Sequence, residues 1–268
     1  MKPIRSRDNP LIKRLHVLAT SARERRKSGE TLLDGAHLID AALQRQWPLK
    51  ALVVSDSGLA QPEIDGLLAR CGTELPCYQL PDALFAHVSP VDTPSGLIAI
   101  IDLPPEPPPA VLQHDVVVLD AVQDPGNLGT ILRTAAAAGV VEVLLTEGCA
   151  GAWSPRVLRA GMGAHFGLRI HERVDALRAL EAFTGPVLAT ALGAGARSLY
   201  EIDLGRPLAW LFGAEGQGVS PALLARASQR VVIPMAADIE SLNVAAAVAV
   251  CLFEQARQRH LRSLRAVM

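Results

Sequence analysis

The sequence predicts an α/β protein, with a small α/β unit followed by a larger, mostly parallel sheet covered by helices on both faces. Three observations predict it. After residue 114, short β-branched apolar runs alternate with helical stretches, the pattern of a parallel sheet buried on both sides. Before that, Leu103-Pro104-Pro105-Glu106-Pro107-Pro108-Pro109 is a stiff extended segment that suits neither a sheet interior nor a helix interior, so it divides the chain. Half of the 268 residues are hydrophobic and only 4% are aromatic, so the cores must be aliphatic. The expected boundaries are 1–103 for the first unit, 104–113 for the linker and 114–268 for the second.

In the first unit a basic helix is expected from about Pro10 to Lys27, then a strand near Thr31–Asp34 and a helix from Ala36 to Gln46. An apolar strand follows at Ala51–Val54, and weaker signals end in Gly96–Ile101. In the second unit Val116–Leu119 is a strand and Leu128–Ala138 a helix beginning near Asn127, with Gly139 as its stop. Val141–Leu145 is the next strand. Ser154-Pro155 opens a helix, with Ser as N-cap and Pro as first helical residue. A helix at Asp175–Phe183 and a strand at Val187–Thr190 come next. Strands at Leu208–Phe212 and Arg230–Ile233 flank a helix start at Ser220-Pro221, and an Ala-rich helix, Asn243–Arg259, closes the chain. Ligands of such sheets sit at the carboxyl ends of the strands.

The net charge of −1 hides an asymmetry. Up to Glu30 there are nine basic residues against three acidic ones, and Arg257, Arg259, Arg262 and Arg265 follow Glu254 near the other end. Basic ends on a neutral chain suggest a local polyanion contact, with Lys13, Arg14, Arg23, Arg25 and Arg26 as its candidates; a merely solvated helix face is the plainer reading. Cys71, Cys77, Cys149 and Cys251 form no CxxC pair, and no His stands at metal-ligand spacing from them, so no metal is expected. Reduced thiols, no signal-peptide pattern and no apolar run long enough to span a bilayer together suggest a cytoplasmic protein.

Three stretches carry the chemistry, each at the end of an apolar run. Asp124-Pro125-Gly126-Asn127-Leu128-Gly129 leads to Arg133, and an Arg in the first turns of a helix meets an unfavourable dipole, so an anionic partner explains it better than helix stability does. A surface Arg paired with Asp120 or Asp124 is the plainer alternative. Gly213-Ala214-Glu215-Gly216-Gln217-Gly218 permits close backbone approach to a ligand. It is no dinucleotide fingerprint, because Glu215 stands where the second Gly of GxGxxG belongs. Ile233-Pro234 is followed by Glu240-Ser241-Leu242-Asn243-Val244, where Ser241 or Asn243 could instead simply cap the last helix. No nucleophile elbow, P-loop or paired-His motif is present.

Together, in this order and spacing, these stretches closely resemble the three motifs of the SpoU (TrmH) branch of the SPOUT RNA methyltransferases, over residues 114–260. More weakly, Asn9-Pro10-Leu11-Ile12-Lys13 and Leu33-Asp34-Gly35-Ala36-His37-Leu38 resemble the small substrate-binding domain that precedes many SpoU catalytic domains, with Asp34 where relatives often carry Glu. The resemblance implies a C-terminal sheet threaded into a deep trefoil knot, a topology that chain physics alone would exclude. It implies S-adenosylmethionine bound by Gly213, Ile233, Leu242 and Ala191 or a neighbour, and a homodimer with the closing helix in its interface. It also implies methylation of a ribose 2′-hydroxyl in RNA, 23S rRNA before tRNA. Arg133 would be the catalytic group, with Asn127, Glu215, Ser241 and Asn243 positioning it, the ribose and the loop. A catalytically silent RNA-binding relative and a Rossmann-type oxidoreductase are the competing readings. The intact polar residues oppose the first, and the missing fingerprint opposes the second.

Overall fold

The computed structural model describes residues 1–91, 93–105, 112–236 and 241–267. The chain runs β1 (Lys2–Pro3), α1 (Pro10–Thr20), α2 (Ala22–Ser28), β2 (Glu30–Asp34), α3 (Ala36–Gln44), β3 (Leu49–Ser55), α4 (Pro62–Cys71), β4 (Cys77–Leu80), α5 (Asp82–Val88) and β5 (Leu97–Asp102). It continues through β6 (Val116–Asp120), α6 (Pro125–Ala137), β7 (Glu142–Leu145), α7 (Pro155–Gly161), β8 (Arg169–His171), α8 (Ala176–Ala179) and β9 (Val187–Thr190). It ends with β10 (Arg197–Ser198), β11 (Ala209–Gly213), α9 (Pro221–Arg226), β12 (Gln229–Val232) and α10 (Val244–Val267). Contacts divide it into two compact units: Met1–Pro105 with Trp153–Phe166, and the remainder.

The first unit is built on a mixed sheet, β1-β4-β3-β5-β2, in which β5 runs antiparallel to both its neighbours. Ile12, Leu15 and Leu18 fall on one face of α1 and pack with Leu32, Phe85 and Ile100. The expected long basic helix is broken at Ser21, whose hydroxyl accepts from the Glu24 amide and caps α2. A segment that the sequence assigns to the second unit belongs here: Trp153 stacks on Trp47 at 5.7 Å, and Thr31 Oγ1 donates to the Trp153 carbonyl at 2.7 Å. Arg159 of α7 pairs with the buried Asp34 at 2.8 Å. These partners lie more than a hundred residues apart in sequence, so periodicity could not reveal them.

The second unit is a seven-stranded sheet, β10-β12-β9-β11-β6-β7-β8, with every pairing parallel. Val118, Leu144, Val187 and Leu211 fill one core cluster. On α10, buried Gln255 accepts from Trp210 Nε1 at 2.8 Å, and the helix packs against α6. The sequence did not suggest β8, because only Ile170 in it is apolar; its Arg169 and His171 instead both bind the buried Glu142 of β7. Burial opposes the Glu142 charge, but those two partners outweigh it and hold the carboxyl below the ordinary glutamate value. α8 is shorter than expected, and α10 runs on past Arg259. Residues 237–240 of the expected knot loop, Glu240 among them, lie outside the described residues.

Candidate functional site

In the parallel sheet β6, β9, β11 and β12 end on one side, at Asp120, Thr190, Gly213 and Val232. The loops leaving β9, β11 and β12 line a cavity of about 670 Å³. Ala191, Gly213, Ile233 and Leu242, the four candidate cofactor contacts, all line it, as do Glu215, Ser241 and Asn243. Among the described residues lining it, Glu215 is the only charged side chain. A cavity whose described walls carry one negative charge and are otherwise apolar or neutral suits a cationic sulfonium ligand with an apolar body.

The three motifs meet in a triangle of side chains. Asn127 Nδ2 donates to Glu215 Oε1 at 2.6 Å, and Asn243 Nδ2 donates to the same oxygen at 2.8 Å and to Asn127 Oδ1 at 3.0 Å. The orientation of the Asn243 amide is determined by its other end. Its Oδ1 accepts from the amides of Ala245 and Ala246 at 2.9 and 3.3 Å, so only its nitrogen is left to face the triangle. The residue both caps α10 and joins the site. Ser241 is exposed at the cavity edge.

The Gly-rich turn is shaped by contact with itself. Ala214 and Gly218 form an isolated antiparallel bridge, and a Cβ on Gly213 would lie 1.9 Å from the Gly218 carbonyl carbon. Glycine is needed there because the turn folds back over it, whatever the ligand does. The sequence offered Asp120 only as a possible partner of Arg133, but it ties this turn down. One of its oxygens accepts from the Ser220 amide at 2.7 Å and the other from Thr146 Oγ1 at 3.0 Å. The signal for this role was its place at a strand end.

The structure removes the surface-pair explanation of Arg133. Asp120 is engaged as described, and Asp124 caps α6 by accepting from the Asn127 amide at 2.7 Å. Arg133 is exposed and makes no hydrogen bond or ion pair among the described residues. The dipole argument, however, does not hold. With Asp124 as N-cap and Pro125 as first residue, the helix starts two residues before Asn127. Arg133 then lies in its third turn, beyond the reach of the end effect. Its lack of a partner is the better argument for an anionic ligand. Among the described residues no cluster of His, Cys, Asp or Glu could hold a metal ion, and no helix is long and apolar enough to cross a membrane.

In the first unit the five basic candidates separate into two kinds. Arg14 binds the buried Glu30 through both its Nε, at 2.9 Å, and an Nη, and Lys50 reaches the same carboxylate at 2.5 Å. Burial raises the Glu30 pKa, but the two cations more than offset this and hold it low. Arg25 donates to the Leu18 carbonyl at 2.7 Å, completing the end of α1. Both are committed to internal partners. Arg23 and Arg26 are exposed, and Lys13 makes only a 3.4 Å contact with Asp8.

Comparison with known proteins finds one match in each half of the chain. Residues 115–253 match the SpoU rRNA Methylase family and residues 9–99 the MRM3-like substrate binding domain. The chain is 35% identical to the 23S rRNA (guanosine(2553)-2′-O)-methyltransferase RlmP of Bacillus subtilis, over 94% of this chain and 98% of that one. Among solved structures, an RNA 2′-O ribose methyltransferase superposes with a TM-score of 0.83 at 33% identity, covering 96% of this chain and 99% of the other. An AdoMet-bound rRNA methyltransferase from Sinorhizobium meliloti superposes with a TM-score of 0.81 at 30% identity, covering 96% and 97%.

Proposed function

Because the chain belongs to the SpoU rRNA methylase family, we propose that it is an S-adenosylmethionine-dependent RNA ribose 2′-O-methyltransferase acting on 23S rRNA. The observation that carries this reading is the convergence of Asn127, Glu215 and Asn243 beside a cavity lined by Ala191, Gly213, Ile233 and Leu242. S-adenosylmethionine, when bound, supplies an electrophilic methyl group. A ribose hydroxyl is a weak nucleophile, so the protein's part is to orient it and stabilise charge as its proton leaves. Arg133 stays protonated and cannot serve as a base. Without a partner among the described residues, it holds a phosphate of the RNA and stabilises the developing alkoxide. The triangle holds the start of α6, the Gly-rich turn and the start of α10 in register, and Ser241 contacts the ribose at the cavity edge.

The first unit is the RNA-gripping domain, with Lys13, Arg23 and Arg26 on phosphates and Arg14 and Arg25 shaping the surface that carries them. The protein works as a cytoplasmic homodimer. Phe253, Leu261 and Leu264, exposed on one side of α10, support an interface there. Transfer of a tritiated methyl group to an unmodified 23S rRNA transcript, followed by mapping of 2′-O-methyl sites, tests the reading. Transfer to tRNA alone would replace the substrate, and no transfer to any RNA would overturn the activity.

A further inference from the structure

We infer that Thr146 is a positioning residue for methyl transfer: its hydroxyl sets the direction in which the chain leaves β6 and enters α6, the helix that presents Asn127 and Arg133. The inference rests on the activity proposed above and deepens it, since Thr146 lies outside all three motif stretches and is not among the residues lining the cavity.

Three features carry it. First, Ala121, the residue that follows β6, has a φ of 54°. The alanine Cβ makes that left-handed backbone unfavourable, and such residues persist only where their surroundings hold them, most often beside functional sites. Only Val122, Gln123 and the N-cap Asp124 separate Ala121 from α6, so its backbone angles govern how the helix leaves the sheet. Second, the holding contact is one hydroxyl. Thr146 follows β7, the neighbour of β6, and its Oγ1 accepts from the Ala121 amide at 3.0 Å. The same hydroxyl donates to Asp120 Oδ1 at 3.0 Å, with the Glu147 carbonyl at 3.3 Å as the longer alternative. The other Asp120 oxygen accepts from the Ser220 amide at 2.7 Å, just past the Gly-rich turn. One hydroxyl–carboxylate pair thus ties the entry to α6, which carries Asn127, to the turn that carries Glu215, and those two side chains meet at 2.6 Å.

Third, the remaining contact between the two loops does not depend on that hydroxyl. The Thr146 amide donates to the Leu119 carbonyl at 3.0 Å and the Ala150 amide to the Val122 carbonyl at 2.9 Å. A Cβ on Gly148 would lie 3.4 Å from the Ala121 Cβ, so the loops also touch there. Removing the hydroxyl leaves the loops laced together and the Asp120–Ser220 tie in place, but it releases the Ala121 amide and with it the left-handed turn. A reacting geometry is sensitive to shifts too small to unfold a loop.

The test compares Thr146→Val, which keeps the shape and removes the hydroxyl, and Thr146→Ser, which keeps the hydroxyl, with the wild type. Two measurements are made: calorimetric titration with S-adenosylmethionine, and single-turnover transfer of a tritiated methyl group over a range of RNA concentrations. The RNA is a 23S rRNA transcript, or tRNA if the wild type methylates only that. In Thr146→Val the rate at saturating RNA falls roughly tenfold to a hundredfold. The RNA concentration for half-saturation and the S-adenosylmethionine affinity stay within a few-fold, because the Gly-rich turn keeps its tie to Asp120. Thr146→Ser restores the rate. In an Arg133→Ala protein, Thr146→Val costs little further, since the group that α6 would misplace is already gone. A wild-type rate in Thr146→Val, a loss that Ser does not rescue, or losses that multiply in the double variant overturns the inference. So does a fall in S-adenosylmethionine affinity as large as the fall in rate, which would make Thr146 a support of the cavity instead. Any of these outcomes beside an active wild type removes only the positioning role. Wild-type protein inactive on every RNA removes the reading beneath it, and this inference with it.

Discussion

Replacing Gly213 by alanine separates the turn's own geometry from the rest of the cavity. The added Cβ would meet the Gly218 carbonyl carbon at 1.9 Å, its oxygen at 2.1 Å and the Val219 nitrogen at 2.1 Å, all backbone atoms. No rotamer change relieves such contacts, so the least costly response is for the turn to open. Opening gives up the bonds from the Gly218 and Gly216 amides to the Ala214 carbonyl, at 2.9 and 3.2 Å. It also gives up the two amide bonds to Glu215. At about 1 kcal/mol for each backbone bond, and about half that for each exposed side-chain bond, the loss is roughly 3 kcal/mol. That corresponds to a melting temperature lowered by roughly 6–12 °C. Because the turn is a wall of the cavity, S-adenosylmethionine affinity should fall more than tenfold. Calorimetric titration and thermal melting read both effects. Gly216→Ala is the control, since a Cβ there meets nothing within 4 Å and should change stability by no more than about 0.5 kcal/mol. A Gly213→Ala protein that binds S-adenosylmethionine as tightly as the wild type would refute the assignment of this turn to the ligand.

Other substitutions probe the remaining parts of the reading. Arg133→Ala should lower methyl transfer at least a hundredfold while leaving S-adenosylmethionine affinity within a few-fold; lost cofactor binding in a titration would contradict its role. Arg26→Ala should weaken RNA binding without changing the melting temperature, whereas Arg14→Ala should lower the melting temperature by leaving the buried Glu30 with only one of its two cations, Lys50, and equal effects would undo that division. Glu142 is held below the ordinary value of 4.5, so its stabilising effect is present above that pH and fades as pH falls through the lower folded value. The melting deficit of Glu142→Gln should therefore shrink on acidification, and a deficit constant with pH would exclude this cause.

What the sequence could show depended on distance along the chain. The strands expected at 116–119, 141–145, 187–190, 208–212 and 230–233 and the Ser154 cap are local patterns, and they stand within a residue of where periodicity and turn chemistry put them. Pairings between remote residues were invisible to such patterns. Nothing in the composition of α1 distinguishes Arg14, bound to Glu30, from exposed Arg26 of α2. Nothing near Arg159 points to Asp34. The start of α6 was misread because Asp124-Pro125 was taken for a turn, although Asp followed by Pro is itself a capping signal. Gly213 was judged important for its freedom to approach a ligand, but its contacts show a turn closing on itself. The triangle joins residues 88 and 116 positions apart, so only the resemblance, and not spacing, could anticipate it.

The double use of the Asn243 amide makes the first turn of α10 a reporter. The hydrogens of the Ala245 and Ala246 amides are shielded by the oxygen of a side chain whose nitrogen holds Glu215 and Asn127. Whenever the triangle opens, the helix start frays with it, and those two hydrogens exchange with solvent. Their exchange rates therefore track how much of the time the site is assembled, in resting protein and without any substrate.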